Sequence, residues 1–263
     1  MSVRLEMVYN QNPKNMKKNS VLILGLVMTM VFSATTIGQK VMMLDSELKA
    51  GSKQLEAKRK GMSGIGKYEF GPYKIVSGKA GWTKTKSDKK FFSFKTTSES
   101  KKKSSFVFVA NGTDTLLVNT STNTKFSETE IQNFSWLNQS VDNYMAAIAS
   151  ASDTTAWQLV LVTGSGEDVE GNFKASGVLS DGVTRIQIRE VRQWSDGKTP
   201  MMKVICGYEF FLDGRAIAAV QSSIDTFQKK YVWLREDLDE SMKSFLAAAA
   251  ASLMVHTDDS MVE

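Results

Sequence analysis

Residues 245–255, FLAAAAASLMV, constrain this chain more than any other stretch of its 263 residues. Alanine has the highest helix propensity, so the tract reads as a helix rather than a strand. Asp237 and Glu240 precede it at a spacing resembling a capping box, and both put acid at the positive end of the helix dipole. The expectation is one helix over 237–255, a rod about 25 Å long. Its C-terminal two-thirds is apolar on every side, and such a helix must be surrounded. A membrane span needs roughly 20 apolar residues, more than this tract offers. The helix is therefore expected inside the protein, where alanine keeps it thin and lets neighbouring elements approach closely.

What surrounds it is legible upstream. From Lys67 onward, short runs of aromatic and β-branched residues alternate with turn residues, the pattern of an all-β domain. Strands are expected at 68–76, 91–97, 105–110, 115–119, 157–163, 172–179, 184–192, 203–212, 215–221 and 230–234. Asp213-Gly214 and Asp181-Gly182 carry the residue pair that a two-residue type I′ turn requires, and Asn111-Gly112 marks a third hairpin with a longer loop. Within 184–192 the alternation of Ile186, Ile188 and Val191 slips near Glu190, as a bulge would make it do. Residues 143–152, NYMAAIASAS, suit a helix by alanine content and a strand by their neighbours, and strand is the preferred reading. The expected fold class is mainly β: an antiparallel barrel of about 10–12 strands enclosing a hydrophobic C-terminal α-helix.

A run of hairpins ending in LREDLDESMKSFLAAAAASLMV, where a last strand and a charged turn launch an apolar helix, resembles the tubby C-terminal-like superfamily of tubby proteins, LURP-one-related proteins and phospholipid scramblases. The resemblance covers 68–255 in outline and implies a closed barrel of about twelve strands around its own helix. It carries no functional residue across, because no segment matches the phosphoinositide site of the tubby proteins or the calcium segment of the scramblases.

At the other end, residues 16–38 read as an export signal: Lys17 and Lys18 are basic, 21–32 is apolar, and 33–38 is small and polar. Cleavage is expected before Gln39, with a weaker site after Ala34, and an uncleaved N-terminal membrane anchor is the minor alternative. Residues 1–15 show neither periodicity nor a role in export and read as an extension before the true start at Met16. The whole resembles exported proteins of Bacteroidetes-type bacteria. Residues 39–66 read as an amphipathic segment, helix or stalk, followed by a glycine-studded linker. The barrel domain covers 67–255, and 256–263 is a tail. The protein is thus expected in the periplasm or outside the cell.

Losing the leader removes Arg4, Lys14, Lys17 and Lys18 against the single acid Glu6, three units of the formal net charge of +5. The basic balance is mostly leader, so no nucleic-acid partner is expected. Cys206 is the only cysteine and lies in an apolar run, which makes it a packed thiol without a disulfide. The only histidine, His256, lies in the expected tail, where it reads as an exposed end-residue rather than a catalytic base. Together the two cannot supply a zinc site. Glu167, Asp168 and Glu170 read as a solvated hairpin loop lacking the spacing of an EF-hand, and Glu236, Asp237, Asp239 and Glu240 read as helix-capping residues. No catalytic residue, metal ligand or cofactor is assigned.

The asymmetry that survives processing is a lysine group, Lys84, Lys86, Lys89, Lys90, Lys95, Lys101, Lys102 and Lys103. Lys89, Lys90, Lys101, Lys102 and Lys103 are the candidate site for an anionic ligand, set against the reading that lysines blunt edge strands. The sequence therefore points to an exported, non-catalytic envelope protein that binds an envelope component or a protein partner through its surface. The alternative is a protein that holds anionic lipid head groups on its lysines, and a carboxylate-dependent hydrolase comes last.

Overall fold

A computed structural model describes residues 39–61, 65–81, 84–89, 95–131, 134–152, 155–167, 173–200, 205–223 and 228–260. Residues 1–38, which hold the expected export signal and the expected 1–15 extension, lie outside the described residues. A short helix α1 (Ser46–Gly51) is followed by thirteen strands: β1 (Ser52–Lys60), β2 (Lys67–Phe70), β3 (Tyr73–Ala80), β4 (Lys84–Lys89), β5 (Lys95–Ala110), β6 (Asp114–Ile131), β7 (Phe134–Ser150), β8 (Ala156–Glu167), β9 (Phe173–Ser180), β10 (Arg185–Val191), β11 (Gly207–Leu212), β12 (Arg215–Gln221) and β13 (Lys230–Arg235). Helix α2 (Glu240–Ser260) ends the described chain.

Neighbouring strands pair antiparallel in the order β3-β2-β1-β13-β12-β11-β10-β9-β8-β7-β6-β5, and β3 then pairs with β5. That last pairing closes a barrel of twelve strands. β4 hangs on the lower part of β5 as the terminal strand of the sheet. Helix α2 contacts β12 and β13 on one side of the ring and β6 and β7 diametrically opposite. Every residue from Leu246 to Met254 is at most 1 % exposed. The barrel encloses its own helix, as the all-round apolar tract demands. Phe245 meets Trp157 with ring centroids 5.7 Å apart, and Tyr144 donates its hydroxyl hydrogen to the Ser252 carbonyl at 2.9 Å.

Several sequence expectations need correction. Residues 52–60 are strand β1, not part of a stalk or linker: they ladder with β13 and β2, and alternation turns Leu55 and Ala57 inward. The expected strand 68–76 is a hairpin, folded at Gly71 with φ +56°. Asp213-Gly214 does form the two-residue turn, both residues having positive φ, and Asn111-Gly112 sits in a three-residue loop between Ala110 and Asp114. The Asp181-Gly182 turn is longer than expected, because the Asp181 carboxylate accepts from the Val183 and Thr184 amides and the ladder resumes only at Arg185. β10 keeps one register through Val191, and the shift lies between Phe210 and Phe211 of β11. Residues 143–150 are strand, part of β7.

Helix α2 starts later and ends later than expected. Asp239, not Asp237, caps it by accepting from the Met242 amide at 2.7 Å. Asp237 instead takes Arg235 at 3.0 Å and Arg215 at 2.8 Å, and these bonds hold its carboxyl down to about 2. The end-residues 256–260 continue the helix because the wall supplies partners for them. Asp258 accepts from the Tyr68 hydroxyl at 2.5 Å and the Lys230 ammonium at 2.6 Å, with Arg59 Nε at 3.4 Å. These three donors offset the repulsion between the buried Asp258 side chain and the negative end of the helix dipole.

A second apolar cluster lies on the outside of the barrel, over β11–β13. Met42 and Leu48 of the N-terminal segment 40–51 pack there with Trp194, Cys206, Tyr231 and Trp233. Gln221 straps that segment down: its carbonyl accepts from the Met42 amide at 2.8 Å, and its amide donates to the Lys40 and Lys229 carbonyls. Glu209 adds a bond from the Asp45 amide at 2.7 Å. Cys206 is fully buried in this outer cluster, and burial pushes its thiol up to about 12.

Candidate binding surface

With the interior filled by α2, the outer wall is where a ligand can meet this barrel. The expected lysine site divides on it. Alternation along β5 turns Lys101 and Lys103 to solvent and Lys102 inward, where its ammonium pairs with Asp259 at 3.2 Å. Lys102 belongs to the junction of helix and wall rather than to a surface patch. Lys89 stands opposite Thr96 in the β4–β5 ladder, five rungs along β5 from Lys101, and Lys90 lies outside the described residues. The register also pairs Lys84 with Lys101 and Lys86 with Glu99. Lysine-rich β4 is the terminal strand of the sheet, which is where lysines discourage pairing with another chain.

The carboxylates are occupied or scattered. Glu240 is bonded to Lys243 and Asn111, Asp239 caps α2, and Asp237 is held by two arginines. Glu167 ends β8 opposite Phe173, while Asp168 and Glu170 lie outside the described residues. Among the described residues no group of three histidine, cysteine or acidic side chains converges as a metal site would. His256 stacks on Tyr144 with centroids 4.2 Å apart, and burial together with the nearby Lys102 charge lowers its pKa to about 4. It is a packing residue of the helix end rather than an exposed one. No described helix is long and apolar enough to cross a membrane.

A different surface stands out. An open groove of about 560 Å³ runs over the outside of β8–β11, lined by Val160, Val162, Val178, Arg185, Gln187 and Phe211, with the Asp213-Gly214 turn at one end and the Gly177 backbone in its floor. A side chain at Gly177 would put its Cβ 2.5 Å from the Val160 carbonyl oxygen, so glycine lets β8 and β9 approach beneath the groove. Val160 and Val162 are each 39 % exposed, and Met145 beside Val160 is 46 % exposed. Arg189 lays its guanidinium 4.2 Å from the centre of the Phe211 ring and donates to Gln187 Oε1 from Nε and NH2. The sequence reading missed this groove. Its signal was LVLV in β8, a run apolar on both faces of a strand that has only one interior face to fill.

Comparison with protein-family models, with curated proteins and with solved structures finds no match for this chain.

Proposed function

We propose that the protein is an exported, non-catalytic binding protein of the cell envelope that engages an envelope component or protein partner through the groove over β8–β11. The observation that carries this reading is the filled barrel: α2 occupies the interior, and the groove is an apolar concavity left on the outer wall. Export rests on the leader-like residues 16–38. Membership of the tubby-like superfamily belongs to the same proposal, supported by twelve strands in a closed ring around a C-terminal helix. A fold of that kind does not name a ligand.

A second reading is favoured by Lys101 and Lys103, which face solvent two residues apart on β5 and could hold anionic head groups. One experiment separates the two. A photo-crosslinking residue is placed at Val162 in the groove, at Lys103 on the lysine face, or at Lys58, exposed on β1, which stands opposite β8 in the ring. The proteins are expressed in the source cell and irradiated, and adducts are identified by mass. The groove reading expects a discrete adduct from position 162 and none from 58. A lipid adduct from 103 alone would transfer the function to the lysines, and equal labelling at all three positions would end both readings.

A further inference from the structure

We propose that the groove over β8–β11 takes a linear, single-chain amphiphile with a singly charged anionic head, an alkyl carboxylate in its simplest form. The inference rests on reading this groove as the docking surface and names the class of its ligand. The barrel register sets Met145 opposite Val160, Val160 opposite Val178, Val178 opposite Gln187, and Gln187 opposite Phe211. This is one row running across five strands on the outer face. At about 4.8 Å between strands the row is about 19 Å long, with Val162 widening it.

The row is apolar over β7–β9, polar at Gln187 of β10, and ends on Phe211 of β11, whose ring the Arg189 guanidinium covers. On β10 Arg185 lines the groove, is exposed, and makes no ion pair among the described residues. Gln187 beside it accepts from Arg189, which leaves its own amide hydrogens available to an anion. The cationic groups Arg185 and Arg189 thus flank the row at β10, one on each side of Gln187, and the apolar positions extend from there across β9 to β7.

Three features select an amphiphile over other occupants. Strands β8 to β11 are laddered on both sides, so an extended peptide laid across them would find no free backbone partner for its own amides, whereas a hydrocarbon tail needs none. A second copy of this chain packed groove to groove would bring four arginines, Arg185 and Arg189 of each copy, together with only two acids of the lining, Asp213 of each. That same Asp213 opposes a head group carrying several negative charges.

The test is calorimetric titration of the purified protein with octanoate, decanoate and dodecanoate below their micellar concentrations, with decyltrimethylammonium as the cationic comparison. Saturable binding is expected, tightening about two- to fourfold per added methylene. Arg185→Gln should weaken it about tenfold, as loss of a charge-assisted bond does. Asp213→Asn, which keeps a side chain that tolerates the turn, should tighten it, and Val160→Asp should abolish it with an unchanged circular dichroism spectrum. Indifference to chain length, to the sign of the head group or to Arg185→Gln would overturn the inference, as would binding to phosphatidylglycerol vesicles without binding to the free amphiphiles. If the alkyl carboxylates fail while position 162 still gives a discrete protein adduct, the ligand class falls and the docking groove stands. If both fail, both fall.

Discussion

Asp258 and His256 lie within one turn of each other at the C-terminal end of α2, and the wall treats them in opposite ways. Asp258 accepts from Lys230 and Tyr68 and pairs with Arg59, whereas burial and the Lys102 charge push His256 from its ordinary 6.5 down to about 4. The fold thus favours neutral His256. Between pH 6.5 and 4 the unfolded chain binds the proton that the native one excludes, so stability from this residue falls as the pH falls through that window. The expected loss between pH 7 and 4.5 is about 2 kcal/mol. Glu209, whose carboxyl burial raises, titrates in the opposite sense and is common to wild type and variant. Chemical denaturation at the two pH values should therefore show a smaller acid loss in His256→Gln than in wild type, by about that amount. Equal acid losses would mean that His256 titrates as an ordinary exposed histidine, the role its sequence position suggested.

At the scale of elements, the alanines of α2 set how closely the strands can stand. Ala250 is 1 % exposed in the barrel interior, and a larger side chain there has no free volume to enter. Ala250→Leu should destabilise the fold by about 2 to 3 kcal/mol through overpacking, since leucine is nearly as good a helix former as alanine. Ser241→Leu, at an exposed position of the first turn, should change stability by less than about 0.5 kcal/mol. Urea midpoints of the two variants decide the point, and equal effects would place the helix outside the barrel. The same contrast explains which elements could be read in advance. Helix α2 and strands β10, β12 and β13 announce themselves because apolar content and period agree with their surroundings. β1 did not, since SKQLEAKRK places two small or apolar residues among charges, and only pairing with β13 and β2 makes it a strand. The lower halves of β5 and β6 are mostly Ser, Thr, Lys, Asn and Glu without apolar alternation, so the sequence reading stopped β6 at 119 and left 98–104 of β5 unassigned between expected strands 91–97 and 105–110. The groove was harder still, because it comes from five strands whose outward residues meet only once the register is set.

For the whole molecule the decisive contact is between the first and last strands of the described ring. β1 and β13 are adjacent strands of the ring although the whole barrel sequence separates them, and α2 follows β13 into the interior. The ring therefore cannot close until its last strand is available, and contacts of such long sequence separation make folding slow, in the range of milliseconds to seconds. The helix is then the core against which the ring closes. Interior side chains such as Phe108, Ile148, Leu159, Ile188 and Phe210 all belong to the cluster that includes Leu246 to Val255. Without the helix they would face an opening wider than any packed interior tolerates, and the loss per removed side chain is about 2 to 5 kcal/mol even in single cavities. A chain ending at Arg235 retains all thirteen strands but should not hold a closed barrel. It should bind a hydrophobic dye such as anilinonaphthalene sulfonate, lose its near-ultraviolet dichroism and unfold without a cooperative transition. A truncated chain that still melts cooperatively and shows an open interior would reverse the argument. The strands alone would then specify the ring, the vacated interior would be a ligand cavity, and the outer groove would lose its standing as the binding surface.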